Sequence, residues 1–300
     1  MARSVFLASL AAGSTAEAQG PMGRWDLTAQ EGGASYPMWL ELQAGPPPSG
    51  RLQRRTGHAL PLTGISIAGN RVSFPMPSEE PEANAGRWTA TIEGEVLTGE
   101  ITLPNGSKIA VAGRRAPSLT RERPPAWGQP IDLLEGGMGG WRIRTGRSGW
   151  SLANGELVNT PPSNDLMSRS MFTDFQLRLE VSIPPSGNSG IYLRGRHEVQ
   201  VADDYGKEPH NRRMGGIYGQ VTPLLLPARP AGEWQSFDIT LIGRRVTVRL
   251  NGVTIIDDAE IPGITGGALD SDEAAPGPIM LQGDHSGVRY RNILILPATY

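Results

Sequence analysis

The chain has 300 residues, no cysteine, and 39 Gly and 26 Pro, so backbone punctuators fill more than a fifth of it. That density argues against a helical bundle or a coiled coil. A hydrophobic share of 38% still suffices for ordinary cores, in one large domain or two moderate ones. The formal net charge of −2 provides no field to gather nucleic acid or anionic lipid. Its basic residues are nearly all arginine, but they are scattered, which points to codon usage rather than phosphate recognition. Without cysteine there are no disulfides, thiolate metal sites or cysteine nucleophiles.

Met1-Ala2-Arg3, a mostly apolar run from Ser4 to Ala12, and the small residues of Ala16-Glu17-Ala18 have the layout of a secretory signal peptide over residues 1–18. Export without cysteine fits a bacterial periplasm or secretion. No other stretch approaches the roughly 18 uninterrupted apolar residues of a membrane span.

Residues 21–116 read as short alternating strands, among them Met38–Leu42, Ile65–Ile67, Arg71–Phe74 and Trp88–Ile92. Turn chemistry separates them at Pro46-Pro47-Pro48-Ser49-Gly50, Ala68-Gly69-Asn70 and Pro104-Asn105-Gly106. Such a meander makes a small antiparallel β-barrel or sandwich. Residues 117–127, with Arg121-Glu122-Arg123-Pro124-Pro125, read as an extended, proline-stiffened linker. Residues 128–300 are again strand-rich, with strands predicted at Phe175–Val181, Ser236–Leu241 and Val288–Leu296. Arg245–Leu250 and Val253–Ile256 meet through Asn251-Gly252, a strong hairpin signal. No stretch of eleven residues holds a helical period, so the fold class is all-β in two domains.

The second domain carries a set of short motifs in order. They begin with Asn188-Ser189-Gly190-Ile191-Tyr192-Leu193-Arg194 and Glu198-Val199-Gln200. Gly216-Ile217-Tyr218-Gly219, Gly232-Glu233-Trp234 and Leu250-Asn251-Gly252 follow. Gly277-Pro278-Ile279-Met280-Leu281-Gln282 and Arg289-Tyr290-Arg291-Asn292-Ile293 complete the set. Together they resemble the 3-keto-disaccharide hydrolase domain family, over about residues 128–300. The resemblance implies a concanavalin A-like jelly-roll sandwich with a polar, sugar-handling site on its concave face. It also implies action on glycosides already oxidised to a ketone at C3, so the expected partner is an oxidised carbohydrate.

Period-two alternation puts Glu198 and Gln200 on one strand face, with Val199 and Val201 on the core side. The turn Gly195-Arg196-His197 is expected to gather Arg194 onto the same polar surface, with Asp203 and Asp204 at the strand exit. An ordinary solvated strand face would use the same residue types. On the family reading, a C3 ketone acidifies the proton at C2 and the aglycone leaves by β-elimination. That chemistry needs a base, a donor at the developing enolate and an acid at the glycosidic oxygen. Glu198 is the candidate base, Arg194 the enolate stabiliser, and His285 or Asp203 the acid; Glu198 and Asp203 are interchangeable at this level. His285 sits one residue away from the family's Leu-Gln-x-His-like position. Asn188, Gln200, Gln282 and Arg291 are candidate sugar binders, although Arg291 equally suits a pair with a strand carboxylate. Tyr192 and Tyr218 suit either stacking on a sugar or the core and its rim.

Two further readings stay open. Glu198-x-Gln200-x-x-Asp203 is similar to the Glu-x-Asp-x-x-Glu signature of retaining glucanases, in which the outer carboxylates lie about 5–5.5 Å apart. A non-catalytic, lectin-like sugar-binding module would use the same fold. No cofactor is required by these motifs, but Glu198, Asp203, Asp204, His197 and His285 supply donors that suit a divalent ion. His58 and His210 read as loop residues, and Gly136-Gly137-Met138-Gly139-Gly140 as a turn without a phosphate-binding lysine.

Overall fold

The computed structural model describes residues 20–80 and 83–300. The expected signal peptide therefore lies outside the described residues. The first nine strands are β1 (Gly23–Glu31), β2 (Ala34–Gln43), β3 (Ser49–Gln53), β4 (Leu60–Pro61), β5 (Ser66–Ala68), β6 (Arg71–Pro75), β7 (Arg87–Glu93), β8 (Val96–Thr102) and β9 (Lys108–Arg115). They form one antiparallel sheet in the order β4-β3-β2-β1-β9-β8-β7-β6-β5. Chain neighbours pair with each other and β1 pairs with β9, so the sheet curls into an up-and-down barrel with one seam between β4 and β5. Alternation drives the closure. Trp25, Leu27, Leu40, Phe74 and Trp88 point inward to a single core, where the Phe74 and Trp88 rings stack at 5.5 Å.

The segment between the two strand-rich regions is pinned to the second one at Leu119 and Arg121. Leu119 is buried, and its carbonyl lies where a Cβ on Gly243 would come within 1.9 Å. Arg121 grips Asp174 through two nitrogens at 2.5 and 3.1 Å. The prolines stiffen a strap that is held in place by these contacts.

The second region contains β10 (Ala126–Trp127), β11 (Ile131–Asp132), β12 (Trp141–Ile143), β13 (Trp150–Ala153), β14 (Glu156–Asn159), β15 (Leu166–Ser168) and β16 (Phe175–Ser182). It continues with β17 (Asn188–Leu193), β18 (His197–Ala202), β19 (Gln235–Ile242), β20 (Arg245–Leu250), β21 (Val253–Glu260), β22 (Met280–Leu281) and β23 (Val288–Thr299). The larger sheet runs β13-β14-β23-β16-β19-β20-β21, with β10 and β11 added to β23. The smaller runs β12-β15-β22-β17-β18. Leu177, Leu179 and Val181 from one sheet meet Ile191, Val199 and Val201 from the other in a common core, the jelly-roll sandwich. The Asn251-Gly252 turn has φ of 50° and 81°, the left-handed pair that a two-residue hairpin requires.

Barrel and sandwich meet at the loop that follows β21. Trp39 packs with Ala59, Ile264 and Ala268 in a small shared cluster. The approach is so close that a Cβ on Gly263 would lie 2.2 Å from the Trp39 indole nitrogen, and one on Gly266 would lie 2.2 Å from the Gly57 carbonyl oxygen. The Gly267 N–H donates to the Arg55 carbonyl at 3.0 Å. Arg24 pairs with Glu260, and Thr28 bonds Ser271 at 3.3 Å, across the same interface. Gly266→Ala is therefore expected to destabilise the protein by about 1–3 kcal/mol, seen as a lower midpoint in a thermal melt. An unchanged midpoint would show that the barrel does not press on this loop.

Candidate functional site

The hairpin of β17 and β18 builds the site. Its turn places Arg194 and Gly195 at φ of 53° and 66°, closed by the Arg196 N–H on the Leu193 carbonyl at 3.0 Å. The register sets Tyr192 opposite Glu198 and Gly190 opposite Gln200. Val199 and Val201 enter the sandwich core, so Glu198 and Gln200 face the other way. Gly190 makes room for the acid, because a Cβ there would lie 2.4 Å from Glu198 Oε1.

Glu198 is only 4% exposed, yet it lines an open pocket of about 470 Å³. Burial pushes its carboxyl up to about 8; the Tyr192 hydroxyl bond opposes that rise, and the charges of Asp165 and Asp284 add to it. The Tyr192 hydroxyl lies 3.0 Å from Glu198 Oε2 and 2.9 Å from the Gly266 carbonyl, yet it has one proton to give. A protonated Glu198 satisfies both: it donates to the tyrosine oxygen, and the tyrosine donates to Gly266. Once Glu198 ionises, the tyrosine proton turns to the carboxylate and the carbonyl loses its donor. The Glu198 backbone N–H donates to Thr265 Oγ1 at 2.9 Å, so the acid is fixed to the same loop that docks the barrel.

Around this carboxyl, Gln200 Nε2 donates to Asn188 Oδ1 at 2.8 Å, which orients both amides. Gln282 lines the pocket, and its buried Oε1 has no hydrogen-bond partner among the described residues. The Tyr218 N–H donates to the Glu198 carbonyl at 2.9 Å, holding that ring at the pocket wall. His285 Nδ1 and Asp284 Oδ1 lie 2.5 Å apart on the rim. Arg144 pairs with Asp165 at 3.2 Å and donates to the carbonyls of Gly267 and Ala268 at 2.8 and 3.2 Å. Burial raises Asp165 above the ordinary carboxylate range. The barrel closes the remaining wall with Ser35, Tyr36 and Arg55. A larger hollow of about 860 Å³ lies beside the strap, but its Arg24 and Arg245 are engaged by Glu260 and Asp258.

Glu198, Gln200, Asn188, Tyr192, Tyr218, Gln282 and His285 thus share one pocket, whereas three other residues expected at the site do not. Arg194 is wholly buried away from it, because the left-handed turn sends its guanidinium to the Gly243 carbonyl at 2.7 Å and toward His197. Asp203 leaves the strand to accept the Ser186 N–H at 2.9 Å. The glucanase-like pairing of Glu198 with Asp203 is therefore not assembled, and the regular register of β17 with β18 supplies no bulge to assemble it. Arg291 lies on the larger sheet, 2.7 Å from Glu180 and stacked 4.0 Å from the Trp234 ring centroid. The donors proposed for a metal are also divided. His197 is buried beside Arg194, and Asp204 accepts the Met214 N–H at 2.9 Å. Among the described residues no group of three or more His, Asp or Glu is placed to hold a metal ion.

Sequence reasoning missed Arg144, Asp165, Asp284 and the whole barrel wall. Only Asp284 had a local signal, as the neighbour of His285; the others reach the site through tertiary contacts alone.

The buried acid has a signature in stability. In the unfolded chain Glu198 ionises near its ordinary 4.5, and in the folded chain near 8. Its contribution is fully present below about pH 4.5 and is lost as pH rises toward about 8. Glu198→Gln removes this loss, so the variant's melting midpoint should gain on the wild type progressively across that window. A difference that stays constant with pH would contradict the shifted carboxyl.

The model of the 3-keto-alpha-glucoside-1,2-lyase-like domain family matches residues 129–296. Among solved structures, a protein of Parabacteroides distasonis ATCC 8503, provisionally assigned as a glycosyl hydrolase, is 29% identical. That match covers 59% of this chain and 92% of that one, with a TM-score of 0.50. A second protein of the same organism and provisional assignment is 22% identical over 56% of this chain and 98% of its own, with a TM-score of 0.46. The Bacillus licheniformis β-glucanase is 12% identical over 59% and 99%, with a TM-score of 0.36. A search of curated proteins gives no match. With more than half its length matched by the family model, the chain belongs to the 3-keto-alpha-glucoside-1,2-lyase-like domain family.

Proposed function

We propose that this protein is a carbohydrate-active enzyme that cleaves glycosides carrying a ketone at C3, by elimination followed by hydration. Family membership and the glycosyl-hydrolase relative support the carbohydrate class. The observation that carries the chemistry is the buried Glu198 carboxyl held near 8 in an open pocket, since a base is most effective with its pKa close to working pH.

The ionised Glu198 takes the proton from C2, acidified by the neighbouring ketone. The electrons of the C2–H bond form a C1–C2 double bond as the bond from C1 to the glycosidic oxygen breaks. His285, held by Asp284, gives that oxygen its proton. Water then adds across the enone: its hydroxyl goes to C1 and its proton restores His285, while Glu198, its proton exchanged with solvent, protonates C2, and net hydrolysis results. Arg194 cannot serve the enolate from its buried position, and Arg144 is the cation of the sandwich half that lines the pocket. Three of its five N–H groups are occupied by Asp165, Gly267 and Ala268, which leaves donors for the C3 oxygen. The amides of Gln200, Asn188 and Gln282 suit the remaining hydroxyls.

Turnover of a chromogenic 3-keto-glucoside, with the unoxidised glucoside as control, tests this reading. The oxidised substrate alone should be cleaved, and Glu198→Gln should lower kcat/KM by about 10²–10⁴-fold. For the wild type, kcat/KM should rise with pH along a limb near 8, as Glu198 ionises. Undiminished turnover in the variant would remove Glu198 from the chemistry, and binding without turnover would point to a sugar-binding module.

A further inference from the structure

We infer that the N-terminal barrel supplies the subsite for the leaving group, and that this subsite is shaped for a second glycosyl unit recognised by Tyr36 and Arg55. The inference rests on the proposed function and deepens it.

The catalytic groups named above all belong to the sandwich, yet the pocket is not closed by the sandwich alone. Its other wall is the end of the β1–β2 hairpin, with Ser35 and Tyr36, and the loop between β3 and β4, with Arg55 and Gly57. This wall lies outside the region matched by the family, residues 129–296. It is therefore an addition in this chain rather than part of the shared domain.

The wall is anchored rather than loosely apposed. The Arg55 carbonyl accepts the Gly267 N–H at 3.0 Å, and Gly57 presses on Gly266. Gly266 in turn accepts the hydroxyl of Tyr192, the partner of Glu198, so two hydrogen bonds connect the loop that the wall rests on to the acid. While its backbone is fixed, the Arg55 side chain is exposed and makes no ion pair among the described residues. Its guanidinium lies 5.2 Å from the Tyr36 ring centroid. An aromatic ring with a guanidinium held over it, and that guanidinium in no ion pair among the described residues, offers an apolar surface for the C–H bonds of a sugar ring and N–H donors for its hydroxyls. The cavity of about 470 Å³ lies in the range that encloses ligands larger than one small ring. With C2 of the oxidised sugar at Glu198, the aglycone is the part of the substrate left to meet this wall.

The test compares kcat/KM for a 3-keto-disaccharide with that for the methyl 3-keto-glycoside of the same anomer. It uses the full chain as wild type, Tyr36→Ala and Arg55→Ala. The wild type should prefer the disaccharide, and each substitution should reduce that preference by about tenfold or more, chiefly through KM. Arg55 is exposed, so its variant keeps the test open if Tyr36→Ala disturbs the barrel core. An unchanged ratio in both variants, whether activity falls equally on the two substrates or on neither, would overturn the inference and leave the proposed function standing. A wild type inert on both substrates would overturn the proposed function and the subsite with it.

Discussion

One strip of backbone, from Gly263 to Ala268, sets the geometry on which everything else depends. On one side it lies against Trp39 and Gly57 of the barrel, closer than any side chain at Gly263 or Gly266 would permit. On the other it receives Tyr192 through the Gly266 carbonyl and holds the Glu198 backbone through Thr265. The position of the buried acid and the seating of the barrel are consequently a single arrangement. Moving the loop outward would open the interface and release Tyr192 from its carbonyl together.

Buried charge is the main energetic expense of this arrangement. Glu198 and Asp165 lie in the pocket, and Asp26 of the barrel meets Glu273 of the sandwich at the interface. Burial raises Asp26 and Glu273 alike, and the charge of Glu273 raises Asp26 further. Arg244 pairs directly with Glu273, and Arg194 lies within its field. Desolvation pushes Arg194 down to about 10, with Glu273 opposing that fall. A guanidinium placed so deeply is strongly destabilising if its partners are removed. Arg194 thus belongs to the support of the hairpin and the domain interface, whereas Arg144 supplies positive charge on the sandwich side of the pocket.

Much of the fold is legible in the sequence because it follows from local rules. Strands such as Phe175–Ser182 declare themselves by alternation, the Asn251-Gly252 turn by its need for left-handed backbone, and the polar face of β18 by the valines between Glu198 and Gln200. The failures have physical causes. Arg194 stands four residues before Glu198, but the left-handed turn rotates its side chain out of the face that simple alternation assigns. Asp203 finds the backbone N–H of Ser186 across the hairpin, and Arg291 finds Glu180 on the adjacent strand. Nothing in the local sequence around Tyr36 or Arg55 indicates that they border the same cavity as Glu198, since that proximity exists only after the two domains dock. Asp165 and Arg144 are likewise assembled by loops that converge over long sequence separations.

The central claim is that Glu198 moves a proton at C2. Cleavage of a 3-keto-glycoside in deuterium oxide, with the product read by nuclear magnetic resonance and compared with substrate recovered at the same time, addresses it most directly. Elimination followed by hydration, with Glu198 exchanging the abstracted proton for solvent deuterium before C2 is reprotonated, predicts deuterium at C2 of the released sugar beyond that in the recovered substrate. A product that keeps its original C2 proton would mean direct displacement at C1 and would contradict the account.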